Sequence, residues 1–212
     1  CDSCKNEFLA KYKYGNNDWE LLLNAINNKE NTKIFSSWID FICEKEYKMF
    51  TDLQTATPNM QIGIMVMYLG AEKAGIDLEK YNNVPFRIGE LMFGDNSFGK
   101  VKGKTDELFG ALFHRRFVSP ELAYSESTSY PQDALSGKNM AAKLTVSLIS
   151  DVRNTMFMSG LKAFPIENWK VIAPAMKKTA LLHKEIAGLK SKGPIKHYWG
   201  MNSRLLGSDK PF

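Results

Sequence analysis

No stretch of this chain approaches eighteen uninterrupted apolar residues, so no membrane-spanning helix is expected. Nor is there an arginine-rich run or a stripe alternating basic and aromatic residues. Lysine and arginine outnumber aspartate and glutamate 28 to 23, but the surplus of +5 is dispersed along the chain. That is the pattern of a solvated surface, and neither nucleic acid nor membrane is an expected partner. Cysteine is scarce: 3 thiols cannot build a disulfide framework. Cys43 lies in an apolar helical pattern and reads as a small buried hydrophobe. Phosphate-binding glycine motifs are absent after every strand-like segment. The nearest approach, Gly94 to Gly99, carries Asp95 and Phe98 and lacks the lysine of a phosphate loop, so a nucleotide site is not expected. The chain opens on Cys1 with no basic segment followed by an apolar run, hence no visible leader. Both ends read as cuts in a longer frame, which leaves the compartment open between a bacterial cytoplasm and the periplasm or exterior.

What is present is an ordinary globular composition: 212 residues, 44% apolar and 24% charged. The first third reads as helices, the longest ending before Pro58 with Ile34, Trp38, Phe41, Ile42, Met49 and Leu53 on its apolar side. Then strand-length apolar runs begin. Met60–Met67, Phe86–Phe93, Leu122–Ser125 and Asn154–Met158 alternate with helices, one from Thr105 (a suitable N-cap) to Arg116, one from Ser136 to Asp151, and one from Glu167 to Leu189 kinked or restarted at Pro174. Near-continuous apolar strands separated by helices predict a parallel sheet covered by helices. An α/β class follows, either half of a barrel or a doubly wound sheet, with residues 1–192 as one body and 193–212 as the start of a following segment.

In a barrel of this kind chemistry sits at the C-terminal ends of the strands. The second strand carries Arg87 and Glu90, followed by Asp95; the third carries Tyr124 and Ser125 and ends in Glu126, followed by hydroxyls and Tyr130-Pro131. Charged groups in apolar parallel strands are costly unless paired or used. Arg87 and Glu90, three apart, point to opposite faces of an ideal strand, so a structural ion pair and a functional role weigh equally for them. For Glu126 the setting favours function over a solvated loop acid: a carboxylate closing an apolar strand beside hydroxyls and a Tyr-Pro turn. Of the histidines, His183 reads as a helix surface or packing residue, and His197 in His-Tyr-Trp is weak evidence of binding. Cys1-Asp-Ser-Cys4 is a C-x-x-C pair with no histidine nearby, two sulfurs where a structural zinc needs four ligands.

Taken together, Cys1-Asp-Ser-Cys4-Lys-Asn-Glu-Phe8, Ser125-Glu-Ser-Thr-Ser-Tyr-Pro131 and Thr155-Met-Phe-Met-Ser159 resemble segments of the family 42 glycoside hydrolases, the β-galactosidases, and their bacterial relatives. The resemblance covers the order of elements over most of the chain, through short motifs. It implies a partial (β/α)8 barrel, about strands five to eight, truncated at both ends, and retaining hydrolysis of a glycosidic bond in the full-length protein. Glu126 matches the seventh-strand nucleophile, with Glu90 the competing carboxylate; the acid/base residue would lie upstream of Cys1. Arg87, Asp95, Tyr124, Tyr130 and Trp199 are the expected carbohydrate-binding residues. No cofactor is required for the reaction, while Cys1 and Cys4 would be two ligands of a structural zinc completed elsewhere. The chain departs from the family after Glu126 and in an eighth strand without the aromatic-Trp-Arg pattern. The alternative is a barrel without catalysis, serving as a carbohydrate-binding or scaffold module.

Overall fold

Thr32 starts the longest helix by accepting a hydrogen bond from the Phe35 backbone N–H at 3.3 Å, the N-capping for which threonine is selected. A computed structural model describes residues 1–67, 69–89, 92–190, 192–193, 198 and 200 of the chain. They fall into two compact units, a helical one from residues 1–60 with 70–80 and a sheet-bearing one from residues 61–69 with 81–196. The expected segment 193–212 lies almost wholly outside the described residues. Among the described residues no helix is long and apolar enough to cross a membrane.

The helical unit consists of α1 (Asp2–Tyr12), α2 (Asn16–Asn28) and α3 (Lys33–Ala56), with short 3-10 turns at Ala71–Ala74 and Leu78–Lys80. Its core is aromatic. Phe8 is fully buried, and Tyr12, Tyr14, Trp38 and Phe41 stand around it with ring centroids 5.2–5.6 Å away. Such a ring contributes about 1.5–3 kcal/mol by burial, with edge-to-face contacts adding to it. Cys43 is buried as expected, and burial pushes its thiol up to about 12. Met49 and Leu53, expected on the apolar side of α3, are instead exposed.

In the sheet unit four strands, β1 (Ile64–Val66), β2 (Phe86–Gly89), β3 (Ala123–Thr128) and β4 (Asn154–Met158), lie side by side in chain order. All three pairings are parallel, with Ile64 opposite Phe86, Phe86 opposite Ala123, and Tyr124 opposite Asn154. Right-handed crossovers through helices are the normal way to connect such neighbours. Helices α4 (Asp95–Phe98), α5 (Val101–His114), α6 (Gly137–Ile149) and α7 (Ile166–Ile186) complete the unit. The α/β class and the sequential parallel order are therefore as the sequence predicts.

Several boundaries differ, each for a local reason. Gly63 lies so close to Pro85 that a Cβ there would meet the Pro85 carbonyl oxygen at 2.6 Å, and β1 begins only at Ile64. Helix α5 starts four residues before Thr105, whose hydroxyl donates back to the Val101 carbonyl at 3.0 Å, so Thr105 is an interior residue and not the N-cap. An early start is allowed because Gly103 passes Ser97, whose carbonyl oxygen a Cβ would meet at 2.1 Å. Helix α7 runs unbroken through Pro174 and stops at Ile186. Strand β3 is longer than expected, continuing through Glu126 to Thr128.

Side chains alternate between the sheet's two faces. One face carries Val66, Phe86, Ile88, Ala123, Ser125 and Ser127, all buried. Phe157, in register with Ser127, packs there against a core of Phe98, Leu135, Met140, Leu144 and Ile172 from the helices. The opposite face is open: Met65, Met156 and Met158 are 46%, 41% and 40% exposed. Helix α7 is anchored to the start of α6 by Asn168, whose side chain accepts from the Gly137 N–H at 3.0 Å and donates to the Leu135 carbonyl at 3.3 Å.

Candidate functional site

The open face brings three of the expected residues together. Arg87 and Tyr124 are register partners on β2 and β3, and Glu126 follows two residues on, on the same side. Glu126 is only 4% exposed, although the sheet around it is open. Its Oε2 stands 2.9 Å from Arg87 Nε. The guanidinium N–H is not aimed along that line, since neither atom makes a directed hydrogen bond, so the contact is a close charge pair. Its Oε1 accepts a hydrogen bond from Thr128 Oγ1 at 2.8 Å, donor and acceptor both buried. Glu126 is thus inside the strand and not past its end, and it is held from both sides.

The diagonal reach from Arg87 to Glu126 depends on the residue directly opposite Glu126, which is Gly89. With no side chain there, the path past it stays clear; a Cβ would already meet Met67 Cγ at 2.5 Å. Sequence alone places Thr128 among the hydroxyls that follow Glu126, beyond a strand expected to end at Ser125. A strand continued by two more residues puts Thr128 on the face of Glu126. That alternation is the signal that identifies it. Below Glu126 the same face holds a cleft of about 490 Å³ lined by Gln61, Gly63, Ile64, Met65, Pro85, Arg87, Tyr124 and Met156.

The remaining candidates lie apart. Asp95 is the tether of a helix: its Oδ1 accepts from the Ser136 N–H (2.8 Å), Ser136 Oγ (3.1 Å) and Asn139 Nδ2 (2.8 Å), fixing α4 to the N-terminus of α6. Burial works to raise its carboxyl, but these donors more than offset that and hold it below its usual range. Tyr130 is 72% exposed in the turn after β3, whose strand end is pinned by the Ser129 N–H to the Met158 carbonyl at 2.9 Å. Glu90 and Trp199 lie outside the described residues, as does His197. Cys1 and Cys4 belong to the helical unit, with their sulfurs 3.5 Å apart. That is close to the ~3.8 Å edge of a tetrahedron with 2.3 Å zinc–sulfur bonds. Among the described residues no group of three or more His, Cys, Asp or Glu could hold a metal.

At the opposite end of the strands a second polar cluster closes the sheet. Asp151, in the left-handed region at φ 53°, receives His183 Nε2 at 2.9 Å and Arg153 Nε at 3.1 Å on Oδ1, with Arg115 at 3.4 Å from Oδ2. His183 is therefore a packing residue with a partner. The cluster sits just before β4, at the N-terminal end of that strand. Inside the helical layer, Lys143 is fully buried, 2.6 Å from Glu107 Oε1 and 4.8 Å above the Phe98 ring.

No family model, curated protein or solved structure matches this chain.

Proposed function

We propose that the chain is the C-terminal half of a retaining glycoside hydrolase, with its sheet as strands five to eight of a (β/α)8 barrel and Glu126 as the nucleophile. The observation that carries this reading is the fixed carboxylate on the open sheet face, one oxygen beside Arg87 and the other bonded to Thr128. In a closed barrel that face is the interior, and the C-terminal half of β3 faces the mouth. A retaining enzyme uses two carboxyl groups about 5 Å apart. Glu126 attacks the anomeric carbon and forms a glycosyl ester while a second carboxylic acid, from the upstream half, protonates the leaving oxygen. Water then attacks the ester with that same residue acting as base. Arg87 and Thr128 fix the direction of attack, and Tyr124 and Tyr130 supply aromatic contacts to the sugar. The 212-residue chain, holding one of the two carboxylates, is expected to be inactive alone.

The test uses the full-length protein. A cleavable aryl glycoside is found, the enzyme is trapped with a slow fluorosugar, and the labelled peptide is sequenced. The label is expected on Glu126. Glu126→Ala should lower turnover by about three orders of magnitude or more, with azide restoring part of it. A label on Glu90, or near-normal turnover in the alanine variant, overturns the assignment. One observation favours the non-catalytic scaffold or carbohydrate-binding barrel: both oxygens of Glu126 are already engaged, as in a structural ion pair. An acidic residue at the end of the upstream fourth strand separates the two readings, since only the enzyme needs it.

A further inference from the structure

Two segments follow the strand ends at which the site is built, one after β2 and one after β3, and backbone hydrogen bonds tie them together. The Tyr130 N–H donates to the Phe93 carbonyl at 3.2 Å, and the Asp95 N–H donates to the Ala134 carbonyl at 2.9 Å. Tyr130 is a sugar contact in the proposed site, so the place of its backbone depends on where residues 92–95 lie. That segment is fixed from the helical layer. Glu107 on α5 accepts the Met92 N–H at 3.0 Å, and the same oxygen accepts from Lys143 Nζ on α6 at 2.6 Å. The Met92 side chain packs against the core that contains Phe98, and Lys143 stands 4.8 Å over the Phe98 ring. Both charges are buried, and the proposed chemistry uses neither.

We propose that Glu107, held by Lys143, is a positioning residue of the site: it fixes the segment after β2 and, through Phe93, the backbone of Tyr130 against the sugar. Stability alone does not call for the pair. A buried ion pair stabilises a fold little more than an apolar pair of the same volume, because desolvation offsets the attraction. An apolar pair, however, offers the Met92 N–H no acceptor, and a buried N–H without a partner is costly. A leucine at 107 would fill the space and release the segment. The carboxylate oxygen shared between the Met92 amide and the buried ammonium is held from two sides, and residues 92–95 take their place from it. Position, and not charge at the reacting atoms, is what Glu107 supplies. This role rests on the glycosidase reading, whereas the chain of hydrogen bonds stands without it.

Two double variants of the full-length protein separate position from stability. Glu107→Leu/Lys143→Met removes both charges and the acceptor; Glu107→Gln/Lys143→Met removes the charges and keeps an acceptor oxygen for Met92. Both should melt within about 4 °C of the natural protein, since an uncharged pair of similar volume replaces the ion pair. The leucine variant should lose about 10- to 100-fold in kcat/KM on the aryl glycoside, the cost of a reacting group displaced by about 1 Å. The glutamine variant should stay within about 3-fold of the natural protein. Hydrogen exchange gives a readout that needs no substrate. Peptides covering Met92 and Tyr130 should exchange faster in the leucine variant, with those inside α5 and α6 unchanged, and should be protected again in the glutamine variant. A leucine variant with normal kcat/KM, normal exchange at Met92 and Tyr130, or a glutamine variant as impaired as the leucine one overturns the proposal. So does failure of either variant to fold, because the pair would then be holding the fold and not the segment. If the full-length protein cleaves no glycoside, the glycosidase reading fails and exchange alone decides whether Glu107 fixes the segment. If fluorosugar labels Glu126 while the leucine variant turns over normally, only the positioning role fails.

Discussion

Replacing Lys143 by methionine removes a charge from the middle of the helical layer without changing much volume. Lys143 is fully buried, and Glu107 Oε1 lies 2.6 Å away on a side chain 3% exposed. The same oxygen also accepts the Met92 N–H at 3.0 Å, while Glu107 Oε2 makes no hydrogen bond among the described residues. Breaking such a pair strands a buried carboxylate and costs about 3–5 kcal/mol. That is a third or more of a typical domain's stability and lowers the melting temperature by roughly 10 °C. The loss depends on pH with a definite sign. Burial already pushes the Glu107 carboxyl up, against the pull of Lys143 and Met92, so the folded form binds its proton more tightly than the unfolded chain. For a carboxyl raised in this way, its contribution to stability is best below its unfolded value and falls as pH rises through the folded one. Without Lys143 the folded value rises further. The cost of Lys143→Met should therefore be small near pH 4.5 and largest near pH 8. Urea unfolding at several pH values measures it, with Lys143→Met/Glu107→Leu as the companion. The double variant should recover most of the loss, because an apolar pair of similar volume needs no compensation. A loss below about 1 kcal/mol at pH 8, or a double variant no more stable than the single, would refute the argument.

Two further stability predictions follow from the ends of elements. Asp95→Ala frees the N-terminus of α6 from α4 and should cost about 1 kcal/mol, the usual value for a lost cap at an exposed position, read by urea unfolding. At Asp151, burial acts to raise the carboxyl, but His183, Arg153 and Arg115 together hold it below its usual value. A carboxyl lowered in this way adds stability above its unfolded value, near pH 4, and loses it as pH falls through the folded one. Asp151→Asn, which keeps a residue tolerant of the left-handed backbone, should destabilise by about 1–3 kcal/mol at pH 7 and flatten the acid limb of the melting-temperature profile. An unchanged acid limb would count against that cluster.

The four strands were legible because each begins in or contains a short apolar stretch, separated from the next by a helix, and a parallel sheet covered by helices favours that pattern. Their lengths were less so. Hydropathy extended β1 back to Met60, whereas the close approach of Gly63 to Pro85 delays pairing to Ile64, a constraint set by a residue more than twenty positions away. Hydropathy ended β3 at Ser125, because Glu126-Ser-Thr128 looks like a loop. The polar stretch pairs as strand since its charge is met by Arg87 and its hydroxyl by Glu126 itself. Spacing within the strand points Arg87 and Glu90 to opposite faces, which leaves a pairing between them open, and the sheet gives Arg87 the carboxylate of Glu126 from the neighbouring strand, past the gap at Gly89. The role of Asp95 was unreadable for the same reason: its three donors lie some forty residues on, at a helix start that only the fold brings near.

Strand order also has a consequence in time. Every strand of this sheet pairs with the one made just before it, so a chain leaving the ribosome at about 5–20 residues per second never has to hold a strand waiting for a later partner. Arg87 is synthesised before Glu126, and β2 before β3. As the third strand emerges, its single carboxylate docks onto a template where the matching guanidinium is already present. The ion pair that complicates the finished sheet can then serve, during synthesis, as the mark that sets the strand in register.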